Sequence, residues 1–275
     1  MNQPKQHELS YLIYPSLLNQ YQRVLDAEND AEDFSNIDSE SGDYRRSPEE
    51  ILAEREQELL DSINRVERLP IEAADKGTAF NEIVDCLITG MRSTRDDVTI
   101  SKVQVDDKEM VKAAINGFEF VFDTDLCKAT AEYFAGTVPQ HRCEGIVETK
   151  YGSAMLYGYA DYIFPNKVVD LKTCSRYDFG KYSRNWQKEV YPYCLIQSGD
   201  LQECNMFEFY VVQLKNPTKE FPWIRGVDYK EEYNYNHEKA SIDIRQMLER
   251  FIEWLEAHKD QITDEKIFNY RWHPK

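Results

Sequence analysis

The chain reads as an α/β protein, a central mixed β-sheet flanked by helices. Three observations predict this. Apolar residues recur at helical spacing over 77–90 and 238–258, β-like runs crowd residues 142–173, and the central part follows the order helix, three strands, helix, strand. At 275 residues, with 41% hydrophobic and 13% aromatic side chains, the chain has the length and composition to bury a sizeable core.

Taken in order, residues 1–25 predict an N-terminal helical segment. Leu9, Leu12, Ile13, Leu17, Leu18, Tyr21 and Leu25 are its apolar positions, with a short helix on each side of Pro15. Residues 26–50 hold ten acids against two arginines, a local charge of −8, and few apolar side chains. Such a stretch buries too little surface to offset its ordering entropy, so it reads as an acidic flexible loop or linker. A DNA-mimicking strip, or a docking site for a basic partner, is the functional alternative. Residues 51–275 form the main domain. Its first helix carries start signals at Ser47, Pro48, Glu49 and Glu50 and an apolar stripe of Leu52, Leu59, Leu60, Ile63 and Val66. In the helix 77–90, Phe80, Ile83, Val84, Leu87 and Ile88 follow the i, i+3, i+4 rule.

Residues 98–103 and 118–122 read as short strands, with 110–116 between them unassigned, and a helix covers 124–135. Three β-like runs follow at 142–151, 154–164 and 167–173, separated by tight turns at Gly152–Ser153 and Pro165–Asn166–Lys167. The stretch 181–199 looks helical, with Pro192 expected to bend or break it, and 206–214 is a strong strand. A long amphipathic helix over 238–258 ends the domain.

Charge and cysteine usage narrow the function classes. With 33 Lys+Arg against 50 Asp+Glu the net charge is −17, which argues against a non-specific nucleic-acid coat. No apolar run reaches the roughly 18–20 residues a membrane helix needs, and the first residues lack a basic flank and apolar core of a secretory signal. A cytoplasmic protein with no membrane partner is expected. The cysteines 86, 127, 143, 174, 194 and 204 form no CxxC pair, so zinc and iron–sulfur sites are unsupported and reduced thiols are expected.

The chemistry concentrates in Gly158–Asp161 (G-Y-A-D) and Asp170–Thr173 (D-L-K-T). On a strand Asp170 and Lys172 share one face, Val169 and Leu171 the other. A turn of about three residues makes the two runs antiparallel neighbours, which sets Asp161 beside Asp170, within about 5 Å between facing Cβ atoms. Paired carboxylates on an apolar sheet repel unless a cation lies between them, and all-oxygen ligands suit Mg²⁺ or Mn²⁺. A structural Asp170–Lys172 pair is the other reading, and spacing alone leaves both open. Downstream, Gln187 and Tyr191 share a helix face. Lys172, Arg176, Lys181, Arg184 and Lys188 make a positive island interleaved with Tyr177, Tyr182, Trp186, Tyr191 and Tyr193. Such a mixture suits a channel that stacks unpaired bases, or, for Trp186 and Tyr193 in particular, core packing.

The string G-Y-A-D, eight residues, D-L-K-T, then Q-x-x-x-Y resembles the PD-(D/E)XK nuclease superfamily, in its RecB-like, phage-type exonuclease branch. The resemblance covers roughly residues 75–214 and implies a restriction-endonuclease-like αβββαβ core with extra N- and C-terminal helices. It implies a metal-dependent deoxyribonuclease, an exonuclease acting on DNA ends or single-stranded segments in recombination, repair or phage DNA processing, with a recombination protein as a possible partner. Position by position, Asp161 and Asp170 would bind Mg²⁺ or Mn²⁺ with the Leu171 carbonyl, Lys172 would be the catalytic lysine, and Gln187 and Tyr191 would orient the site. The departure is Gly77–Asp85 (G-T-A-F-N-E-I-V-D), where Asn81 stands in the family's usual histidine position with Glu82 beside it. A module of the same fold that binds nucleic acid or protein with weakened catalysis is therefore the second reading.

One prediction rests on that departure. Asn81→His should strengthen Mn²⁺ binding in calorimetry, because imidazole is a better donor to this ion than an amide oxygen. Asn81→Ala should weaken binding modestly and Glu82→Ala less. The reverse order would make Glu82 the ligand.

Overall fold

The computed structural model describes residues 9–33, 36–38, 43–67 and 69–268. Strand β1 (Leu9–Ile13) leads into helix α1 (Pro15–Leu25), which has its proline in the first turn. The helix expected before Pro15 is thus a strand. Tyr11 and Ile13 are buried with Leu12 only half-buried between them, the alternation of a strand, which a five-residue apolar run does not reveal by itself.

The expected acidic linker is also corrected in part. Its first residues form helix α2 (Ala27–Ala31), which packs Ala27 and Ala31 against Ile51 of helix α3 (Pro48–Ile63). Alanines at i and i+4 give this polar stretch a narrow apolar edge, and Arg55 pairs with Asp30 beside it. Asn36 then donates to the carbonyls of Ala31 and Arg46, at 2.9 and 2.8 Å. Residues 34–35 and 39–42 lie outside the described residues. Helix α3 opens as expected, with a reciprocal cap: Ser47 Oγ accepts from Glu50 N–H and Glu50 Oε2 from Ser47 N–H.

Helix α4 (Glu72–Thr89) starts earlier than expected and stops at Gly90, whose φ of +67° ends the helix. Strands β2 (Val98–Val105), β3 (Lys108–Ile115) and β4 (Phe118–Phe122) form an antiparallel sheet. The unassigned stretch 110–116 falls in β3. Both connections are two-residue turns with positive φ, Asp106–Asp107 and Asn116–Gly117, which match the twist of the strands they join. Helix α5 (Thr124–Tyr133) follows.

Next come β5 (His141–Thr149), β6 (Gly152–Ala160), β7 (Tyr162–Phe164), β8 (Lys167–Cys174), helix α6 (Gln187–Ser198) and β9 (Met206–Lys215). The single central sheet of the sequence reading is replaced by three sheets. Strands β1, β6 and β5 form one, in that order, and β10 (Arg225–Asn234), β9, β8 and β7 form another. These two are mixed: β1 runs parallel to β6 and β8 parallel to β9, the other pairs being antiparallel. The expected 154–164 strand divides at Asp161, so β6 joins one sheet and β7 the other. Pro192 lies inside α6 without ending it, so Lys188 forgoes its bond to that position. Helix α7 (His237–Ala257) closes the core.

Strands β8 and β9 are buried on both faces. Val168, Phe207, Phe209 and Val211 join a cluster with α1, α3, α6 and α7, while Val169, Leu171, Tyr210 and Val212 join α4 and α5. No helix of the described residues is long and apolar enough to cross a membrane. All six cysteines are free thiols, and Cys127, Cys143, Cys194 and Cys204 are buried.

The packing of α2 is testable. Ala31 is 0% exposed, so Ala31→Asp should lower stability in urea denaturation by about 2 kcal/mol or more, the scale of an unpaired buried carboxylate. Exposed Glu28→Gln should stay within about 0.5 kcal/mol of the parent.

Candidate functional site

Strands β7 and β8 pair Tyr162 with Val169, which sets Asp161 opposite Asp170 on the next rung. Asp161 occupies the single residue between β6 and β7. Its Oδ2 accepts from Leu171 N–H at 2.9 Å and its Oδ1 from Gln140 Nε2 at 3.2 Å. Asp170 is 1% exposed. Lys172, on the same strand face, places Nζ 2.7 Å from Asp170 Oδ2 and donates to Gln187 Oε1 at 2.7 Å. Gln187 Nε2 donates to Asp170 Oδ1 at 2.8 Å and to the Tyr191 hydroxyl at 3.1 Å. Asp170, Lys172 and Gln187 thus close a ring of polar contacts at the start of α6, and Tyr191 extends it by one turn.

Two glycines explain how these elements come so close. A Cβ on Gly158 would lie 2.7 Å from Tyr191 Cε1, so β6 meets α6 only without a side chain there. A Cβ on Gly77 would collide with Thr173 Oγ1, which presses α4 onto the end of β8. At the other end of that contact Asp85 Oδ1 accepts from the Tyr162 hydroxyl at 2.6 Å. Asn81 lies midway between Gly77 and Asp85 on this edge of α4, and its Oδ1 is enclosed with no hydrogen-bond partner. Glu82 is the next residue on α4. Its charge acts on Asp85, Cys86 and Arg95.

Burial dominates the electrostatics. It pushes the Asp161 carboxyl up to about 8, helped by the charge of Asp170 and opposed by Lys172. Asp170 is raised as well, again by burial, with Lys172 acting against the shift. Burial lifts Asp85 to about 6, while its bond from Tyr162 works in the opposite direction. Two facing acids that resist simultaneous ionisation can share a proton or a cation. Asp161 and Asp170 offer carboxylate oxygens to a cation, and Asn81 Oδ1 on the facing edge of α4 is an oxygen without a partner. Among the described residues no three His, Cys, Asp or Glu side chains converge at metal-holding distance.

The structure brings Asp161, Asp170, Leu171, Lys172, Gln187 and Tyr191 together and gives Glu82 no contact with the paired aspartates. It also corrects the positive island. Arg184 pairs with Asp26 at 2.8 Å, Lys188 with Glu189 at 3.1 Å and Arg176 with Asp178 at 3.2 Å, so most of its charge is offset locally. Most of the interleaved rings are tied into the fold, and Tyr191 alone among them borders the cleft beside Asp161. Tyr182 packs on Phe209, Tyr177 donates to Glu231, Trp186 Nε1 to Gln22, and Tyr193 is buried with its hydroxyl on Ile146 O.

Sequence reasoning left Gln140, Tyr162 and Asp85 out of the site. Asp85 carried a signal, since it borders the apolar stripe four residues past Asn81. Gln140 carried none: its left-handed φ of +54° in the β5 approach places it against Asp161.

No family model matches the chain, and no curated protein matches it. A solved structure described as the crystal structure of SSO0001 aligns over 43% of this chain with a TM-score of 0.28 and 15% identity. The chain spans 50% of the length of that protein. A likeness of this degree carries no argument about fold or function.

The raised Asp161 carboxyl has a measurable consequence. An unfolded Asp titrates near 3.9, so between about pH 4 and pH 8 the folded chain binds more protons than the unfolded one. Stability in EDTA should therefore fall as pH rises through this window. Asp161→Asn should flatten that decline in urea titrations at pH 5 and pH 8, and equal slopes would count against the shift.

Proposed function

We propose that the chain is a metal-dependent DNA nuclease with a restriction-endonuclease-like αβββαβ core, hydrolysing phosphodiester bonds from DNA ends. The observation that carries this reading is the contact network itself. Residues of the three sequence motifs, spread over 161–191, converge as Asp161 opposite Asp170, with Lys172, Gln187 and Tyr191 joined to Asp170 in one network. The succession α4, then β5, β6 with its continuation β7 beyond Asp161, and β8, then α6 and a parallel β9 is in keeping with such a core, with β2 to β4 and α5 inserted after the first helix.

The donor set fits a hard cation. Mg²⁺ and Mn²⁺ are commonly held by one or two carboxylates, with waters and substrate phosphate filling the remaining positions. Asp161, Asp170 and the Leu171 carbonyl would hold the ion, with Asn81 Oδ1 as the further oxygen whose partner is missing. Such an ion supplies Lewis-acid polarisation of phosphate and a more acidic bound water.

The rest follows from this chain's own side chains. Lys172 lies 2.7 Å from Asp170 and stands ready to offset the negative charge that builds on a phosphate during attack. Gln187 fixes both partners, since its amide donates to Asp170 and its carbonyl receives Lys172. Tyr191 holds the second amide proton of Gln187 and so locks the rotamer. Asp161 is half-buried and borders the cleft between α1 and β6, from which substrate would approach. Two observations favour the second reading, a weakened nuclease-fold module that binds nucleic acid or protein: the asparagine at 81 and the locally offset basic island.

Incubation with end-labelled linear and circular DNA in Mg²⁺ and Mn²⁺ separates the two. Lys172→Ala should keep the fold and lower cleavage by about 10²-fold or more, the scale of one lost electrostatic stabiliser. Calorimetry should show Mg²⁺ or Mn²⁺ binding lost in Asp170→Ala. Undiminished cleavage by Lys172→Ala would remove the assigned role, and no cleavage of any DNA by the parent chain would leave the binding module.

A further inference from the structure

A cleft of about 600 Å³ borders the candidate site, and its lining includes Asp161, Tyr191, Tyr14, Tyr157, Tyr159 and Arg65. Asp170 is closed off from it at 1% exposure, so a ligand reaching the paired acids from this cleft meets Asp161 first and passes the tyrosines. Tyr157 and Tyr159 alternate with Gly158 on β6 and emerge on one face, about 7 Å apart by strand geometry. Tyr14 meets Tyr157 edge to face, with ring centroids 5.8 Å apart. The contrast with the tyrosines of 177–193 is sharp. Tyr177, Tyr182 and Tyr193 are packed or bonded within the fold, whereas Tyr159 is 53% exposed beside the acid.

Charge is scarce in this cleft. Arg65 is its one lining cation, and it already shares an ion pair with Asp264 at 2.8 Å. On a chain of net charge −17, backbone neutralisation cannot supply the bulk of an affinity for nucleic acid. Flat apolar rings bordering a carboxylate can, because base–aromatic stacking works without a positive field. The volume falls in the range that accepts a small-molecule-sized ligand, which is a stretch of one or two nucleotides and not a duplex.

Building on the nuclease reading above, we propose that this cleft is a stacking groove for an unpaired nucleic-acid strand. Tyr159 is the main platform for a base, Tyr157 with Tyr14 behind it is the second, and the strand's phosphate is delivered to Asp161. Gly158 serves both sides of the groove wall: its missing side chain admits Tyr191 behind the sheet while its neighbours face the strand.

The test is fluorescence anisotropy of a labelled 15-nucleotide oligothymidylate with the full chain in EDTA, from 50 to 200 mM KCl, followed by hydrolysis of the same strand in Mn²⁺. Tyr159→Ala should weaken binding about tenfold or more, the scale of one lost stacked base. Affinity should fall less than about tenfold across this salt range, where a groove of many phosphate contacts loses about 10³-fold or more. An unlabelled duplex of the same length should not compete, and Phe179→Ala, which removes an exposed ring outside the cleft, should bind as the parent does. Equal binding by Tyr159→Ala, a steep salt dependence, competition by duplex, or no binding by the parent would overturn the groove. Binding that depends on Tyr159 without hydrolysis would keep the groove and remove the nuclease reading. Hydrolysis that is indifferent to Tyr159→Ala would do the opposite.

Discussion

A carboxylate sealed inside a protein must be compensated, and Asp170 is the charge around which this fold is arranged. It sits at 1% exposure on a strand whose neighbours are valine, leucine and phenylalanine. An unpaired ion there would cost several kcal/mol, and removing one partner from a buried pair typically costs about 3–5 kcal/mol. Lys172 answers the charge from the same strand and Gln187 from the following helix. The bond from Gln187 fixes where α6 begins after the 175–186 connection, and hence how the chain returns to lay β9 parallel to β8. Local chemistry and topology are decided together at this point.

The close contacts at Gly77 and Gly158 have the same coupling character. Each lets a helix approach a strand more nearly than any other residue allows, and each puts a site residue behind the contact. Gly158 sets the depth of the Tyr191 ring, which in turn steadies Gln187. Gly77 sets the height of α4 above β8, and with it the positions of Asn81 and Asp85. A sequence motif that reads as a few scattered letters is, in three dimensions, a set of mutually touching parts.

Much of this was legible in the chain. The long amphipathic helix, the capped start at Ser47 and the run 206–214 announce themselves through periodicity or capping residues, which are local properties. The Asp161, Asp170, Lys172, Gln187 and Tyr191 set was legible for a related reason, since strand and helix spacing bring those side chains together over short loops. What escaped depends on partners remote in sequence. Strand β1 is a strand because β6 lies beside it, and α2 is a helix because Ile51 accepts its two alanines. Strand β10 is an edge strand, largely exposed and rich in Asp, Lys and Glu, and so shows no apolar alternation. The Asn116–Gly117 turn was present as a hairpin signal and would have assigned β3. The basic island was misleading at Arg184, whose partner Asp26 comes from a distant segment, while Arg176 and Lys188 pair with acids one or two residues away.

The one-residue gap between β6 and β7 has a mechanical meaning. Asp161 is the covalent joint between two separately hydrogen-bonded sheets, and its side chain is tied by Leu171 to one of them and by Gln140 to the approach of the other. Its carboxylate therefore answers to both sheets at once. A core substitution that shifted one sheet against the other would reach Asp161 through this joint, without touching either acid.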